Sequence, residues 1–415
     1  MAREQDHVRA LISEGMTYFA AGALDQARAV FDQALAIAPD HLAVNYYLGA
    51  IADELGDAPA AERHYAAVLA ADSASRQAYF QLANALYLQD KKWEALSVLR
   101  DAERHFPGDR EILFYRGQLA SRTLPGWHLP MLADQDRNDA FEAAIKARVK
   151  PGDIVLDVGT GSGLLSMMAA RAGAEHVYTC ECEPVMAQLA RQIICLNGLD
   201  DKITVLPKHS SDVRVGADMP RPADVLISEI FDRALVGEGA LPTISHAWSA
   251  LLKPGAAAIP QGATLYGALI ECPHLQRFHH LETVNGFDLT PINALAHPLS
   301  YKDAQLGLEE TEDHRVLSAP FAIKTFDFQA MPDLIFRAEC PVDIVKSGQA
   351  DALLLWFDLD LAPGVRFSTG RSKPHNHWRV ASQVLLDKAE CRAGQPMTLK
   401  AQYRHYFDFR VIAGR

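Results

Sequence analysis

The stretch Val155-Leu156-Asp157-Val158-Gly159-Thr160-Gly161-Ser162-Gly163-Leu164-Leu165 decides the fold at the centre of this 415-residue chain. An apolar run starting at Ile154 reads as a buried strand, enters three glycines spaced G-x-G-x-G, and leaves as a helix. Glycines let a backbone turn sharply and lie against a ligand that any Cβ would block. The helix N-terminus adds unpaired N–H groups. A dinucleotide fingerprint would need its third glycine three positions after Gly161, where Leu164 stands. Outward from this loop, helix signals at 164–172 and 185–197 alternate with strand signals at 176–180 and 223–228. That alternation predicts a parallel sheet covered on both faces.

Upstream, a 34-residue offset relates Ala27, Ala61 and Ala95. The same offset relates Phe31, Tyr65 and Leu99, then Ala34, Val68 and Ala102, then Pro39, Ser73 and Pro107. Small residues let paired helices approach, the large residue four positions on fills the gap, and the prolines stop a helix. The pattern resembles the tetratricopeptide repeat, in about three copies over residues 8–120. It implies either a concave protein-binding surface or a packing extension of the neighbouring domain. Downstream, β signals at 263–270, 351–361, 378–386 and 397–411 predict an antiparallel sandwich or barrel.

Composition narrows the function classes. A hydrophobic fraction of 49% and a charged fraction of 22% exclude wholesale disorder. Acids outnumber bases 52 to 40, for a net charge of −12. That argues against a nucleic-acid partner, which needs a basic footprint, and suits an arginine-rich protein segment. The six cysteines form no CxxC and no Cys/His zinc spacing, so no metal is expected and the compartment reads as reducing. With no apolar leader and no run of about 18 apolar residues, the expected location is cytoplasmic, away from membranes.

The compact G-x-G-x-G, with Asp157 two residues ahead, looks like the S-adenosylmethionine loop of class I methyltransferases. The resemblance implies a Rossmann-like sheet with Asp157, Gly159, Gly161 and Gly163 at the cofactor. At the tip of the next strand, Glu181 can accept hydrogen bonds from both ribose hydroxyls, with Glu183 as the nearby competitor. After the third strand, Ser211 and Asp212 in Lys208-His209-Ser210-Ser211-Asp212 are expected where the adenine edge would lie. Leu251-Leu252-Lys253-Pro254-Gly255 matches the late turn common to these enzymes.

The strand at 223–228 leads into Glu229, and Glu238 follows nine residues later in Gly237-Glu238-Gly239. Two carboxylates on one loop repel each other and make sense facing a cation. A guanidinium offers five donors in a planar fork and stays protonated, because its pKa exceeds roughly 12. This pair resembles the "double-E" loop of protein arginine methyltransferases, in the branch reading Ser-Glu-Ile-Phe-Asp…Gly-Glu-Gly, and the resemblance covers about residues 115–415. It implies that Glu229 and Glu238 hold the substrate guanidinium. Upstream, the segment from Trp127 to Asn138 looks like the family's cofactor-closing helix. Arg137 would then pair with the cofactor carboxylate, His128 would sit beside the cofactor, and Met131 would line the transfer tunnel. Asn376-His377-Trp378 resembles the family's Thr-His-Trp loop, so Trp378 would wall the arginine slot and His377 would pair with Asp134 as a proton-accepting dyad. Three differences stand out: the paired-aromatic YFxxY motif is missing near 119–122, Asn376 replaces the loop's Thr, and Ala240 stands where asymmetric dimethylating members carry Met.

The expected protein is therefore multidomain: an α-helical tetratricopeptide array (8–120), an α/β class I methyltransferase domain with its lid helix (121–260), and a C-terminal antiparallel β-barrel for substrate binding (261–415). The expected reaction is S-adenosylmethionine-dependent methylation of arginine in a protein that the repeats recruit. A single catalytic module implies a head-to-tail homodimer, its arm within 275–315. The alternatives are methylation of another protein amine or a small molecule, and an inactive repeat scaffold.

Overall fold

The computed structural model describes residues 2–276, 281–295, 314–370, 376–378, 380–404 and 407–413. The chain divides into two compact units, one ending at Gly126 and the other spanning Trp127–Arg415. The first unit holds α1 (Ala2–Ala20), α2 (Leu24–Ile37), α3 (Leu42–Glu54), α4 (Ala58–Ala71), α5 (Arg76–Leu88), α6 (Lys92–His105) and α7 (Arg110–Thr123). Three helical hairpins are followed by a further helix. Ala27, Ala61 and Ala95 are fully buried on the second helix of each pair. Their large neighbours meet matched gaps on the first helix. A Cβ on Gly15 would lie 2.8 Å from Phe31, and one on Gly49 would lie 2.7 Å from Tyr65. In the third pair the smaller Leu99 stands where Phe31 and Tyr65 stand, and Ala83 replaces the glycine. Asp57 and Asp109 cap α4 and α7 by accepting backbone N–H groups of Ala60, Glu111 and Ile112.

The second unit opens with α8 (His128–Ala133) and α9 (Gln135–Arg148). Then come β1 (Ile154–Val158), α10 (Leu164–Arg171), β2 (His176–Cys180), α11 (Pro184–Leu196), β3 (Ile203–Leu206), β4 (Ala223–Ser228), α12 (Ala240–His246) and β5 (Leu252–Ile259). The strands form one parallel sheet in the order β3-β2-β1-β4-β5. β1 and β4 are buried at every position, as helices on both faces require. The order reverses between β1 and β4, so the crevice for a ligand opens at their carboxyl ends. β5 begins within the stretch read as a late turn, because the chain bulges at Gly255 (φ +74°) and keeps its pairing with β4.

The antiparallel part comprises β6 (Gly262–Glu271), the hairpin of β7 (Thr283–Val284) and β8 (Phe287–Asp288), β9 (Arg315–Val316), β10 (Phe321–Asp327), β11 (Phe336–Asp343), β12 (Gly348–Ala362), β13 (Val365–Ser368), β14 (Ala381–Cys391), β15 (Pro396–Tyr403) and β16 (Phe407–Ala413). β6 and β12 centre one sheet, flanked by β10 and β13, with β14 and β9 joining it; β11-β15-β16 form another. Both sheets share one hydrophobic core with the parallel sheet, running from Phe141 to Phe409. The β signal over 397–411 is the hairpin β15–β16, and the signal expected from Trp378 becomes a strand that starts at Ala381. β7 to β11 and β13 had no counterpart in the sequence reading. β11 contains Pro341, which is tolerated because the strand lies at a sheet edge. Of the expected dimer arm, residues 277–280 and 296–313 lie outside the described residues; the rest includes the β7–β8 hairpin.

The glycine–aromatic matching in the repeats generates a test. Gly49→Ala should lower the stability of the first unit by roughly 1–3 kcal/mol through overpacking against Tyr65. Adding Tyr65→Leu should recover most of that loss, and thermal unfolding of the four-variant cycle measures it. Additive effects would mean that the pair does not set the spacing of α3 and α4.

Candidate active site

The glycine loop leaves β1 and folds over the end of β2. Gly159 and Thr160 donate their N–H groups to the Cys180 carbonyl at 3.1 and 3.2 Å. Gly161 donates to Glu181 Oε2 at 3.0 Å, and the other oxygen accepts from the Glu183 N–H at 3.0 Å. Gly159, Gly161 and Gly163 all have positive φ (+89°, +51° and +82°). A Cβ at Gly159 would meet Ile230 at 2.8 Å, and one at Gly161 would meet the His128 ring at 3.3 Å. The loop is therefore squeezed between the lid segment and the residue after Glu229. Asp157 sits beneath it, fully buried, bonded by the hydroxyls of Ser166 and Thr179. Burial raises its carboxyl to about 7, against the pull of those two hydroxyls. Ser211 and Asp212 lie exposed on a 3₁₀ turn after β3.

The lid segment is tied to the sheet by two buried acids. Asp134, between α8 and α9, caps α9 by accepting from the Arg137 N–H at 3.1 Å. Its other oxygen accepts from the His377 backbone N–H at 3.1 Å and lies 3.2 Å from His377 Nδ1. Burial lowers His377 to about 4 despite the carboxylate, so the ring is neutral at pH 7. Nδ1 then carries the proton toward Asp134, which leaves Nε2 as an acceptor. Arg137 is 2% exposed; it forms an ion pair with Glu229, donates to Asn138 at 2.8 Å and lies over Phe141. Burial pushes the Glu229 carboxyl up, and the Arg137 charge pulls it back. His128 and Met131 are buried on α8, and His128 is lowered first by burial and then by Arg137. Four buried polar atoms of the site have no hydrogen-bond partner: His128 Nε2, Arg137 Nε, Asp157 Oδ1 and Ser228 Oγ. Each sits on an element that ends beside the glycine loop or the Glu229 loop.

The loop carrying both acids is pinned from three directions. Asp232 Oδ1 accepts the N–H groups of Ala234 (3.2 Å) and Gly237 (3.0 Å). A Cβ on Gly237 would fall 1.8 Å from Asp232 Oδ2, so only glycine lets the loop close on that carboxylate. Trp378 is buried and donates its indole N–H to the Phe231 carbonyl at 2.7 Å. The Tyr403 hydroxyl on β15 donates to the Val236 carbonyl at 3.1 Å. Glu238 is exposed at the tip, and Gly239 turns the chain into α12 with φ +76°.

The structure thus gathers the glycines, Glu181, His128, Met131, Arg137, Asp134, Glu229, His377 and Trp378 at one end of the sheet. Asp157 supports them from below. Sequence reasoning missed Asp232 and Tyr403. A glycine beside Glu238 was the only hint of the first, and no local signal marks the second. Among the described residues, no group of three or more His, Cys, Asp or Glu is placed to hold a metal ion. No helix among them is long and apolar enough to cross a membrane.

The clamp on this loop predicts an exchange pattern. Asp232→Ala should raise amide hydrogen exchange at Ala234 and Gly237 by about tenfold or more, whereas Asp232→Asn, which keeps the accepting oxygen, should change it little. Equal exchange in the two variants would mean that the carboxylate does not hold the loop.

Comparison with known proteins agrees with this arrangement. A sequence-family profile described as the arginine methyltransferase oligomerization subdomain matches residues 261–405. One for ribosomal protein L11 methyltransferase matches 142–262, and one for the tetratricopeptide repeat matches 18–72. The chain is 37% identical over 297 residues to the arginine N(omega)-methyltransferase of Streptomyces achromogenes subsp. streptozoticus, covering 71% of this chain and 80% of that one. It is 40% identical over 301 residues to protein arginine N-methyltransferase 7 of Gallus gallus, covering 65% of this chain and 43% of that one. The Oryza sativa subsp. indica protein of the same name is 38% identical over 261 residues, 58% of this chain and 36% of that one. The chain therefore spans less than half the length of these two relatives. Among solved structures, the Trypanosoma brucei PRMT1 enzyme–prozyme heterotetrameric complex with AdoHcy matches with a TM-score of 0.59 and 25% identity, over 68% of this chain and 89% of that one.

Proposed function

Because this chain belongs to the arginine methyltransferase family, we propose that it methylates a guanidinium nitrogen of arginine in a protein substrate, with S-adenosylmethionine as methyl donor. The observation that carries the reading is the placement of Glu229. It is buried at the end of β4, holds the Arg137 guanidinium, and shares with Glu238 a loop anchored by Asp232, Trp378 and Tyr403.

S-adenosylmethionine, when bound, supplies a methyl group on a positively charged sulfur. The residues present fit it. The glycine loop offers close backbone approach, Glu181 would hold the ribose, and Ser211 and Asp212 would lie at the adenine edge. His128 Nε2 and Arg137 Nε are buried without a hydrogen-bond partner, and the guanidinium suits a cofactor carboxylate. Met131 would line the passage between cofactor and acceptor. Glu229 and Glu238 would grip the substrate guanidinium and draw its charge onto the nitrogens they bind. The remaining nitrogen then keeps lone-pair density for the methyl group. Trp378 would wall the slot. The neutral His377 ring, oriented by Asp134, would accept the proton released from the methylated nitrogen. Catalysis would come from positioning and carboxylate electrostatics.

In this reading residues 8–120 recruit the protein substrate, 121–260 hold the cofactor and 261–415 complete the acceptor slot, in the cytoplasm. A second reading takes free arginine as acceptor. The name of the Streptomyces relative, which mentions arginine without a protein, favours it.

The chain would act as a head-to-tail homodimer, with the β7–β8 hairpin in its arm. The hairpin exposes Phe287 (72%), and Ile292 beside it is exposed at 51%, an apolar face suited to a partner copy. Sedimentation should show a dimer at micromolar concentration that Phe287→Glu splits; a fully active monomer would contradict this.

Glu238→Gln should leave S-adenosylmethionine affinity by calorimetry within about twofold while lowering turnover by at least ~100-fold, as loss of a preorganised charge at the reacting group does. Weakened cofactor binding in this variant would assign the loop a structural role instead.

A further inference from the structure

Between β10 and β11 the stretch Phe328-Gln329-Ala330-Met331-Pro332-Asp333-Leu334-Ile335-Phe336 crosses from one antiparallel sheet to the other. Within it Met331, Leu334 and Ile335 are 56%, 45% and 57% exposed. No other five-residue stretch of the second unit exposes three large apolar side chains among the described residues. The segment is nevertheless held in place. The Gln329 side chain donates to the Ala258 carbonyl at 2.9 Å and accepts from the Ala258 N–H at 3.4 Å. The Trp248 indole donates to the Phe328 carbonyl at 3.0 Å, and Pro332 is buried. A fixed run of exposed apolar side chains marks an interaction surface.

Both ends of the segment lean on the loop that carries the two acids. At one end Phe328 stacks on Phe231, two residues after Glu229, with ring centroids 5.8 Å apart. At the other end Phe336 stacks on Tyr403 at 5.7 Å, and the Tyr403 hydroxyl holds the Val236 carbonyl, two residues before Glu238. Phe336 also meets Phe326 edge-on at 5.6 Å, which fixes the start of β11 against the end of β10. The segment therefore runs alongside the Glu229–Glu238 loop. Its exposed side chains lie within roughly six residues of extended chain from Glu238.

We propose that Met331, Leu334 and Ile335 form a ledge that takes apolar side chains flanking the methylated arginine of the protein substrate. The ledge presupposes the proposed reaction and adds sequence selection to it. Two carboxylates recognise a guanidinium whatever residues lie beside it. An apolar shelf continuous with their loop distinguishes one arginine from another by its neighbours, because burying those neighbours is favourable. Asp333 is exposed in the middle of the shelf, so an acidic flank is repelled. Free arginine has no flanking residues and leaves the ledge unused. A second copy is the other candidate occupant, but the continuity of the shelf with the acid loop at both ends favours the substrate.

The test uses the full chain, S-adenosylmethionine and two peptides that share a single arginine. One is flanked only by glycine and serine; the other carries leucine about two to four residues to either side. The leucine peptide should show a KM about tenfold lower at similar kcat, as partial burial of apolar side chains provides. Glutamate in place of those leucines should raise KM above that of the glycine–serine peptide. Leu334→Ser/Ile335→Ser, at exposed positions, should remove the leucine advantage through KM while kcat stays within about twofold. Equal KM for the two peptides, or an equal loss on both in the variant, would overturn the ledge and leave the reaction standing. Sedimentation in which the variant splits a dimer into monomers would give the patch to a second copy and overturn the ledge as well. If neither peptide is methylated, fluorescence anisotropy with S-adenosylhomocysteine present separates the two ideas. Leucine-selective binding that the variant loses keeps the ledge and removes the reaction; binding without selectivity removes the ledge too.

Discussion

The buried ion pair between Arg137 and Glu229 is the constraint on which the site depends. The two side chains are 3% and 6% exposed, so each would be costly in that place without the other. Breaking such a pair from one side typically costs about 3–5 kcal/mol. The pair joins α9 to the end of β4, and Asp134 extends the link by capping α9 with one oxygen and holding His377 with the other. The lid segment, the sheet and the 376–378 loop thus meet through two carboxylates. The family resemblance assigned Arg137 to the cofactor and Glu229 to the substrate. In this structure they also hold each other, and the charge on Arg137 favours the ionised form of an acid that burial would neutralise.

Topology explains why these groups meet. The reversal of strand order between β1 and β4 places the glycine loop and Glu229 at adjacent strand ends, and the hydrophobic core runs without a break from the parallel sheet into the antiparallel sheets. That continuity lets Tyr403, 167 residues beyond Val236, reach back and support the loop between the two acids. Trp378 does the same from a third segment. A loop anchored at Phe231, Asp232 and Val236 is held in one conformation, as electrostatic preorganisation requires.

What was legible in the sequence was whatever chemistry writes locally. Strand-to-glycine punctuation placed the loop, the 34-residue columns placed the repeats, and a strand running into Glu229 placed the first acid. What was hidden depends on long-range contact. Asp232 looks like any loop acid until Gly237 is seen against it, and β11 is masked by Pro341, which only an edge position excuses. The matching of Gly15 to Phe31 and Gly49 to Tyr65 was present in the repeat period, but it gains meaning only when the two helices touch. Asp157 shows another limit: its hold on the hydroxyls of Ser166 and Thr179 beneath the loop is visible only once β1, β2 and α10 are packed together.

The central claim is that arginine in a protein accepts the methyl group. Its most direct test is to incubate the full chain with methyl-labelled S-adenosylmethionine and an arginine-glycine-rich protein, hydrolyse the protein in acid, and identify the labelled amino acid. The account predicts label in methylarginine, the number of methyl groups read from the same chromatogram. Label in methyllysine, or in free methylarginine with none in the protein, would contradict it.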